Sequence, residues 1–450
     1  MGEGSWVGDA NQALLTDLYQ LTMTQGYWHQ QMGEEAVFTL FCRRLPSNRN
    51  YLLACGLADV LQYLERLRFS ETSIEYLSSL PQFAPDFLRW LGDLRFTGNV
   101  YAVAEGTPVF ANEPILEVVA PIAEAQVIET FLMNQIHLET VLASKASRVV
   151  AAARGRPVVD FGLRRMHGAD AGLKSARAYH IAGVASTSNV LAGQVYGVPV
   201  SGTMGHSYIQ AHESEMDAFR AFVQLDPETV LLVDTYDTVR GVEKVIALAR
   251  EMGEAFRVRS IRLDSGDLGA LAHQARRMLD QAGLQRVQIF ASGGLDEYEI
   301  TELLSREAPI DGFGVGTGMG VSRDAPSLDL AYKLADYAGR GRLKKSPGKP
   351  ILPGRKQIFR RMRDGRSDGD VIARWGESLS GNPLLRQVMR GGRRLPETEE
   401  TLDAARERAR TEMESLPEGV RSIEPTPTPY PVEVSEALEA YQKQVAAVVD

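Results

Sequence analysis

The sequence predicts an α/β protein, an irregular parallel β/α barrel joined to a second α+β domain built from the N-terminal and C-terminal segments. Three observations predict it. First, between residues 158 and 318 short apolar runs end in polar or small residues near Asp160, Ser201, Asp234, Asp264, Ser292 and Gly316, and amphipathic stretches follow them. Successive ends lie about 25 to 40 residues apart, the length of one βα unit. Second, residues 95–122 alternate short strands with Gly and Pro turns, a different texture. Third, residues 355–395 alternate like short antiparallel strands. Fewer than eight strong strands are visible, so an irregular barrel fits better than a regular one. The expected domains are 1–124, an N-terminal α+β domain; 125–338, the barrel with the active site; and 339–450, a basic loop, short strands and C-terminal helices that pack with the N-terminal domain.

In chain order, residues 12–32 read as a helix, with Leu14, Leu18, Leu21 and Gln25 stepping round one face. Tyr19 falls on another side and reads, on its own, as a half-buried packing residue. Val37 to Cys42 is an expected strand before a Pro-Ser-Asn turn, and the spacing over 56–94 is helical. Ala125 to Ala153 is a long helical pattern or two abutting helices. After Asp336 the chain turns basic and glycine-rich through Gly339-Arg-Gly-Arg-Leu-Lys-Lys-Ser-Pro-Gly-Lys, and Lys344 to Lys356 is expected to form a lid facing anions. A charged helix over 397–415, an extended Thr426-Pro-Thr-Pro-Tyr-Pro linker and a helix over 434–448 close the chain.

Composition narrows the function. The 450 residues can bury sizeable cores, and 44% hydrophobic with 24% charged residues is ordinary for a globular protein. A net charge of -9 argues against a nucleic-acid partner and leaves anion binding to local Arg and Lys clusters. With only Cys42 and Cys55, neither a disulfide scaffold nor a cysteine zinc site is expected. Neither a signal peptide nor an apolar run of roughly 18 residues is seen, so a cytoplasmic enzyme without membrane contact is the expectation.

The residues that carry chemistry cluster at the ends of the expected strands. Arg164 and Arg165 follow Asp160-Phe161-Gly162-Leu163, where a guanidinium fork can grip a carboxylate or phosphate. A lone arginine there reads as a surface ion pair; two adjacent ones favour a ligand. His206 follows a strand and the small residues Gly202, Thr203 and Gly205, which leaves its ring accessible as a nitrogen nucleophile, whereas His137, His212 and His273 sit in helical patterns. Asp234, Asp264 and Asp267 are carboxylates at strand ends, suited to Mg²⁺ held jointly with substrate phosphates. Asp267 reads equally as a helix N-cap. Arg262 is suited to a pyrophosphate. Ser292-Gly293-Gly294 and Gly314-Val-Gly316-Thr317-Gly318 follow the last two expected strands, where backbone N–H groups can approach a phosphate.

The same stretches, with Leu-Leu-Thr-Asp-Leu-Tyr-Gln at 14–20, Ile-Arg-Leu-Asp-Ser-Gly-Asp at 261–267 and Pro-Gly-Arg-Lys-Gln at 353–357, resemble the nicotinate phosphoribosyltransferases over most of the chain. The resemblance implies a substrate set of nicotinate, 5-phosphoribosyl 1-pyrophosphate and ATP, with Mg²⁺, and a product, nicotinate mononucleotide, that feeds NAD synthesis. It implies that Arg164 holds the nicotinate carboxylate and Phe161 stacks on the ring. Tyr19 of a neighbouring subunit would cover the other face, in a homodimer with shared sites. It further implies that His206 is phosphorylated by ATP, that Asp234 and Asp264 are catalytic with it, and that Ser292 to Gly294, Gly316 and Thr317 bind the 5-phosphate. Nicotinamide-specific relatives carry an aspartate at the position of Ser188, where it would repel a carboxylate, so Ser188 favours the acid. The alternatives are a nicotinamide phosphoribosyltransferase and an inactive nucleotide-binding barrel.

Overall fold

The computed structural model describes residues 6–345 and 351–448. The chain forms two compact units, one from residues 1–141 with 327–450 and the other from residues 142–326. The α/β barrel lies in the second unit and the α+β domain in the first.

Six parallel strands make the barrel sheet: β1 (Val158–Asp160), β2 (Ser186–Thr187), β3 (Val230–Leu232), β4 (Ser260–Leu263), β5 (Gln288–Ser292) and β6 (Gly312–Val315), in the order β2-β1-β6-β5-β4-β3. Burial on both faces is why these runs are almost continuously apolar, as in Val158-Val159 and Leu231-Leu232. The segment after Pro199 brings the two sheet edges together: Val200 bridges Thr187, Ser201 N donates to Thr187 O, and Thr203 Oγ1 donates to Val230 O at 2.6 Å. The expected strand end at Ser201 is therefore a single bridge, and the two-residue β2 lies ahead of it. Helices Thr238–Met252, Leu268–Gln281 and Glu297–Ser305 follow β3, β4 and β5, each opened by an Asp N-cap.

Within this unit the part of the helix Glu129–Ala152 that follows Val141 carries Lys145 and Arg148, both buried, to Glu297 at the start of its helix. Glu297 is fully buried and pairs with Lys145 and, at 2.9 Å, with Arg148 Nε; Lys145 also reaches Asp324 at 2.7 Å. Two buried cations facing these carboxylates require both partners to be present.

In the first unit the strand Glu35–Cys42 lies between Pro114–Pro121, from the N-terminal segment, and Leu330–Tyr337, from the C-terminal one, pairing antiparallel with both. One sheet thus joins strands from both segments. Its core stacks Phe38 on Tyr332 at 4.9 Å and Tyr63 on Phe131 at 3.9 Å. The helical spacing over 56–94 resolves into Leu57–Arg66, Glu71–Ser78 and Pro85–Asp93, whose apolar faces supply Leu61, Leu64, Phe87 and Leu91 to that core. The expected helix over 12–32 is Leu18–His29, after a single 3₁₀ turn at Gln12–Leu14.

The lid expected from Lys344 to Lys356 is corrected at its far end. Lys356 is buried, donating from Nζ to Leu352 O and Gly354 O and pairing with Glu117 at 3.1 Å, so its charge is consumed inside the fold. The middle of that stretch, 346–350, lies outside the described residues.

Glu297→Gln leaves Lys145 and Arg148 buried against one fewer carboxylate, and the expected loss is about 3–5 kcal/mol of stability. Denaturant unfolding of the purified variant measures it; a loss below about 1 kcal/mol would show that water screens the group.

Candidate active site

The C-terminal ends of the barrel strands surround an open cavity of about 730 Å³. Loops at this end of a parallel sheet are free to carry polar side chains, because the strands behind them hold the apolar core. Phe161, Arg164 and Arg165 come from the turn after β1, Ser188 from the turn after β2, and the residues from Val200 to His206 from the segment that brings the sheet edges together. Arg262 and Asp264 come from β4 and its end, Ser292 to Gly294 from the end of β5, and Gly316 and Thr317 from the turn after β6. Four guanidinium groups, of Arg164, Arg165, Arg262 and Arg323, share this lining with one carboxylate, Asp264, among the described residues. Such a wall attracts polyanions.

Arg262 is held rigidly, donating from Nε to Ser292 Oγ at 2.7 Å and from Nη2 to Asp264 Oδ1 at 2.6 Å, with its guanidinium carbon 5.1 Å from the centre of the Phe161 ring. Ser292 Oγ also donates to Asp264 Oδ1. Burial alone pushes the Asp264 carboxyl up, but the hydrogen bonds from Ser292 and Arg262 and the charges of Arg262 and His206 outweigh it and leave it below the usual carboxylate range. His206 opens the helix His206–Gln210; its Nδ1 shares a 3.1 Å hydrogen bond with Thr235 Oγ1, and its Nε2 lies 3.6 Å from Asp264 Oδ2. Behind them Asp234 Oδ2 accepts from Asp264 N at 2.9 Å and from Ser265 Oγ at 2.6 Å.

Beneath the turn that carries Phe161 and Arg164 the buried Asp160 accepts from Gly162 N and from Thr187 Oγ1, both at 2.7 Å. Burial raises its carboxyl, and these two hydrogen bonds oppose the rise. Two glycines are sterically required. Gly293 has a φ of +91°, and a Cβ there would stand 1.9 Å from Asp264 O. A Cβ on Gly314 would stand 2.5 Å from the Phe161 ring, so this glycine makes room for an aromatic face.

The sequence matches the family models for the nicotinate phosphoribosyltransferase N-terminal domain over residues 14–137, the nicotinate phosphoribosyltransferase family over 157–375 and the C-terminal domain over 376–442. A relative from Mycobacterium tuberculosis named nicotinate phosphoribosyltransferase pncB2 is 56% identical over 426 residues, 95% of this chain and 92% of that one. One from Bacillus subtilis, named nicotinate phosphoribosyltransferase, is 40% identical over 388 residues, 84% of this chain and 79% of that one. The crystal structure of human nicotinic acid phosphoribosyltransferase superposes with a TM-score of 0.86 at 28% identity, covering 96% of this chain and all of the other.

The chain belongs to the nicotinate phosphoribosyltransferase family.

In this nicotinate phosphoribosyltransferase, the cavity gathers Phe161, Arg164, Ser188, Gly202, Thr203, His206, Arg262, Asp264, Ser292, Gly293, Gly294, Gly316 and Thr317. Three residues singled out from the sequence stand elsewhere. Asp234 lies behind the wall as an acceptor for the turn after β4. Asp267 caps the helix Leu268–Gln281, accepting from Ala270 N at 3.0 Å, and is not in the lining; of its two readings, the structure bears out the cap. Tyr19 is on the first unit's helix Leu18–His29, 51% exposed. Sequence reasoning missed Arg323 and Thr235. A single arginine in a loop has no pattern to mark it, and Thr235 was visible only as the neighbour of Asp234.

The Asp264 contacts make the native state acid-sensitive. A carboxylate depressed in the fold contributes stability that is present above its unfolded pKa and is lost as pH falls through its folded one. Acid unfolding should therefore lose this contribution below about pH 4, and Asp264→Asn should flatten that part of the stability curve. An identical acid limb in the variant would remove Asp264 from the balance.

Proposed function

We infer that this chain joins nicotinate to 5-phosphoribosyl 1-pyrophosphate, forming nicotinate mononucleotide for NAD synthesis and releasing pyrophosphate. The observation that carries the reading is that Phe161, Arg164, Ser188, Arg262, Asp264 and His206 line one cavity in a member of this family. In the reaction the pyridine nitrogen attacks the ribose C1 as the bond from C1 to the pyrophosphate oxygen breaks, and that electron pair leaves with pyrophosphate. Positive charge develops at the ribose. No base is required, because the ring nitrogen already carries its lone pair, so the site works by positioning and charge.

Arg164 places a fork against the nicotinate carboxylate, Phe161 offers a flat face to the ring, and Ser188 adds no negative charge that would repel the acid. Arg262, fixed by Ser292 and Asp264, is a stationary positive centre for the pyrophosphate. Gly293, Gly294, Gly316 and Thr317 bring backbone N–H groups to the 5-phosphate. Asp264 offers a carboxylate oxygen in the cavity, and Oδ1 of Asp234 behind it is buried without a hydrogen-bond partner among the described residues. Such a donor set fits Mg²⁺, commonly held by one or two carboxylates plus substrate phosphates. When bound, Mg²⁺ supplies positive charge against the pyrophosphate oxygens.

ATP coupling through His206 belongs to the same proposal. Thr235 holds Nδ1, which leaves Nε2 on the Asp264 side as the nucleophile. A phosphorus–nitrogen bond forms there as the bond to the departing ADP oxygen breaks, and water later cleaves the phosphohistidine. A homodimer with shared sites, in which Tyr19 of a second copy covers the ring, and a cytoplasmic location complete the reading. Among the described residues no helix is long and apolar enough to cross a membrane.

Formation of nicotinate mononucleotide from labelled nicotinate, with and without ATP and with nicotinamide as competitor, tests the whole; preference for nicotinamide would transfer the chain to the sibling activity. Arg164→Lys should raise the nicotinate KM on the order of tenfold to a hundredfold, by loss of the fork, while the KM for the phosphoribosyl donor changes little. Equal weakening of both would assign Arg164 to phosphates. His206→Asn should abolish ATP stimulation and phosphoenzyme while retaining some ATP-independent transfer, and undiminished labelling from γ-labelled ATP would refute the assignment. Co-expression of Tyr19→Ala with His206→Ala chains should restore ATP-stimulated activity if sites are shared, because one site of each heterodimer then carries neither defect; a mixture with no more ATP-stimulated activity than its parents would exclude sharing.

A further inference from the structure

The two side chains that the cavity offers to an aromatic acid, Arg164 and Ser188, sit on separate turns, and a buried group joins those turns. Asp160 ends β1 and is 1% exposed. Its Oδ1 accepts from Gly162 N, inside the turn that carries Phe161 and Arg164, and its Oδ2 accepts from Thr187 Oγ1, immediately before Ser188. The main-chain oxygen of Asp160 accepts from Ser188 N at 2.9 Å. The connection continues: Thr187 Oγ1 accepts from Asn189 N at 3.1 Å, and Asn189 caps the helix Val190–Tyr196, with its own Nδ2 donating to Gly172 O at 2.9 Å. Thr187 and Asn189 are 3% and 4% exposed, so water does not substitute for any link. The turn is also closed from the other side, because a Cβ on Gly162 would stand 3.0 Å from Asp160 Oδ1 and 3.3 Å from Gly316 O.

We propose that Asp160 is a positioning residue for the acid substrate: its buried carboxylate, bonded to Gly162 and Thr187, fixes the spacing between the Phe161–Arg164 turn and Ser188, and thereby sets discrimination between a pyridine carboxylate and its amide. Asp160 does not line the cavity. It acts through the two turns. The carboxylate is suited to this because it accepts at both oxygens at once and its acceptors cannot rotate away from the donors. The pyrophosphate wall takes its hydrogen bonds among Arg262, Asp264 and Ser292, and meets this link where the Arg262 guanidinium carbon lies 5.1 Å from the centre of the Phe161 ring. Damage to the link therefore falls first on the acid. The proposal rests on the reading of the cavity as a nicotinate site.

The test uses the full chain with Thr187→Val, Thr187→Ser and Asp160→Ala. Valine keeps the shape of threonine and removes the hydroxyl, leaving Asp160 Oδ2 and Asn189 N without that partner; serine restores it. Thr187→Val should raise both the nicotinate KM and the calorimetric Kd on the order of tenfold, with the KM for the phosphoribosyl donor within about twofold of wild type. The preference for nicotinate over nicotinamide should fall by the same factor, Thr187→Ser should recover it, and Asp160→Ala should lose at least as much. If Asp160→Ala does not fold, the Thr187 pair still decides. A Thr187→Val enzyme with a lowered melting temperature but an unchanged nicotinate KM would overturn the proposal, as would equal rises in both KM values. A wild-type protein that neither binds nor consumes nicotinate would instead overturn the underlying reading of the site.

Discussion

The barrel end is held by carboxylates at strand termini, each of which bonds across to the neighbouring strand. Asp160 at the end of β1 takes the Thr187 hydroxyl of β2. Asp234 after β3 takes Asp264 N and Ser265 Oγ beyond β4, and Asp264 takes Ser292 Oγ and Arg262. Strands of two to five residues make few ladder hydrogen bonds, so the loops at their ends need another restraint. Buried or half-buried carboxylates supply it, because each oxygen accepts strongly from a backbone or hydroxyl donor. Among the described residues the cavity has a single lining carboxylate and a surplus of guanidinium charge.

This arrangement explains which parts of the site were legible in the sequence. An apolar run that stops at Asp160, Asp264 or Ser292 marks a strand end because a parallel strand is buried on both faces and its loop is not. Five of the six expected ends fall on barrel strands or the residues just after them. The exception, Ser201, belongs to the segment that bridges the sheet edges, and β2 escaped notice because Ser186-Thr187 has no apolar run at all. Function within a strand end was less legible than its place. An aspartate after a strand reads the same whether it lines the cavity, as Asp264 does, braces the loop from behind, as Asp234 does, or caps the next helix, as Asp267 does. The direction of a carboxylate is a matter of tertiary contact, and no local pattern encodes it. Lys356 makes the same point for cations: a lysine in a basic stretch was expected to face anions, yet Glu117 and two carbonyls enclose it.

Charge distribution carries the next step. The chain as a whole is acidic at -9, while the described cavity lining holds four arginines and one carboxylate. Over more than a Debye length of about 8 Å the net charge is screened, so a polyanion at the mouth responds to the local wall rather than to the whole molecule. Repulsion from the remaining surface and attraction within the cavity together disfavour adsorption elsewhere on the protein.

The arginines within the cavity then differ in kind. Arg262 has Nε and Nη2 committed to Ser292 and Asp264, so its position is set before any ligand arrives; in the proposed reaction it is a preorganised charge that needs no reordering when negative charge builds on a leaving group. Arg164 and Arg165 are exposed on the 3₁₀ turn Leu163–Arg165, whose rigidity comes from beneath, through Asp160 and Gly162. A fork on such a turn keeps its approach direction while its side-chain torsions adapt to the ligand. Fixed charge is what a changing group requires, and an adaptable fork suffices for a carboxylate that remains unchanged through the reaction. The division between a fixed guanidinium and an adaptable one thus follows from where the strand-end carboxylates place their hydrogen bonds.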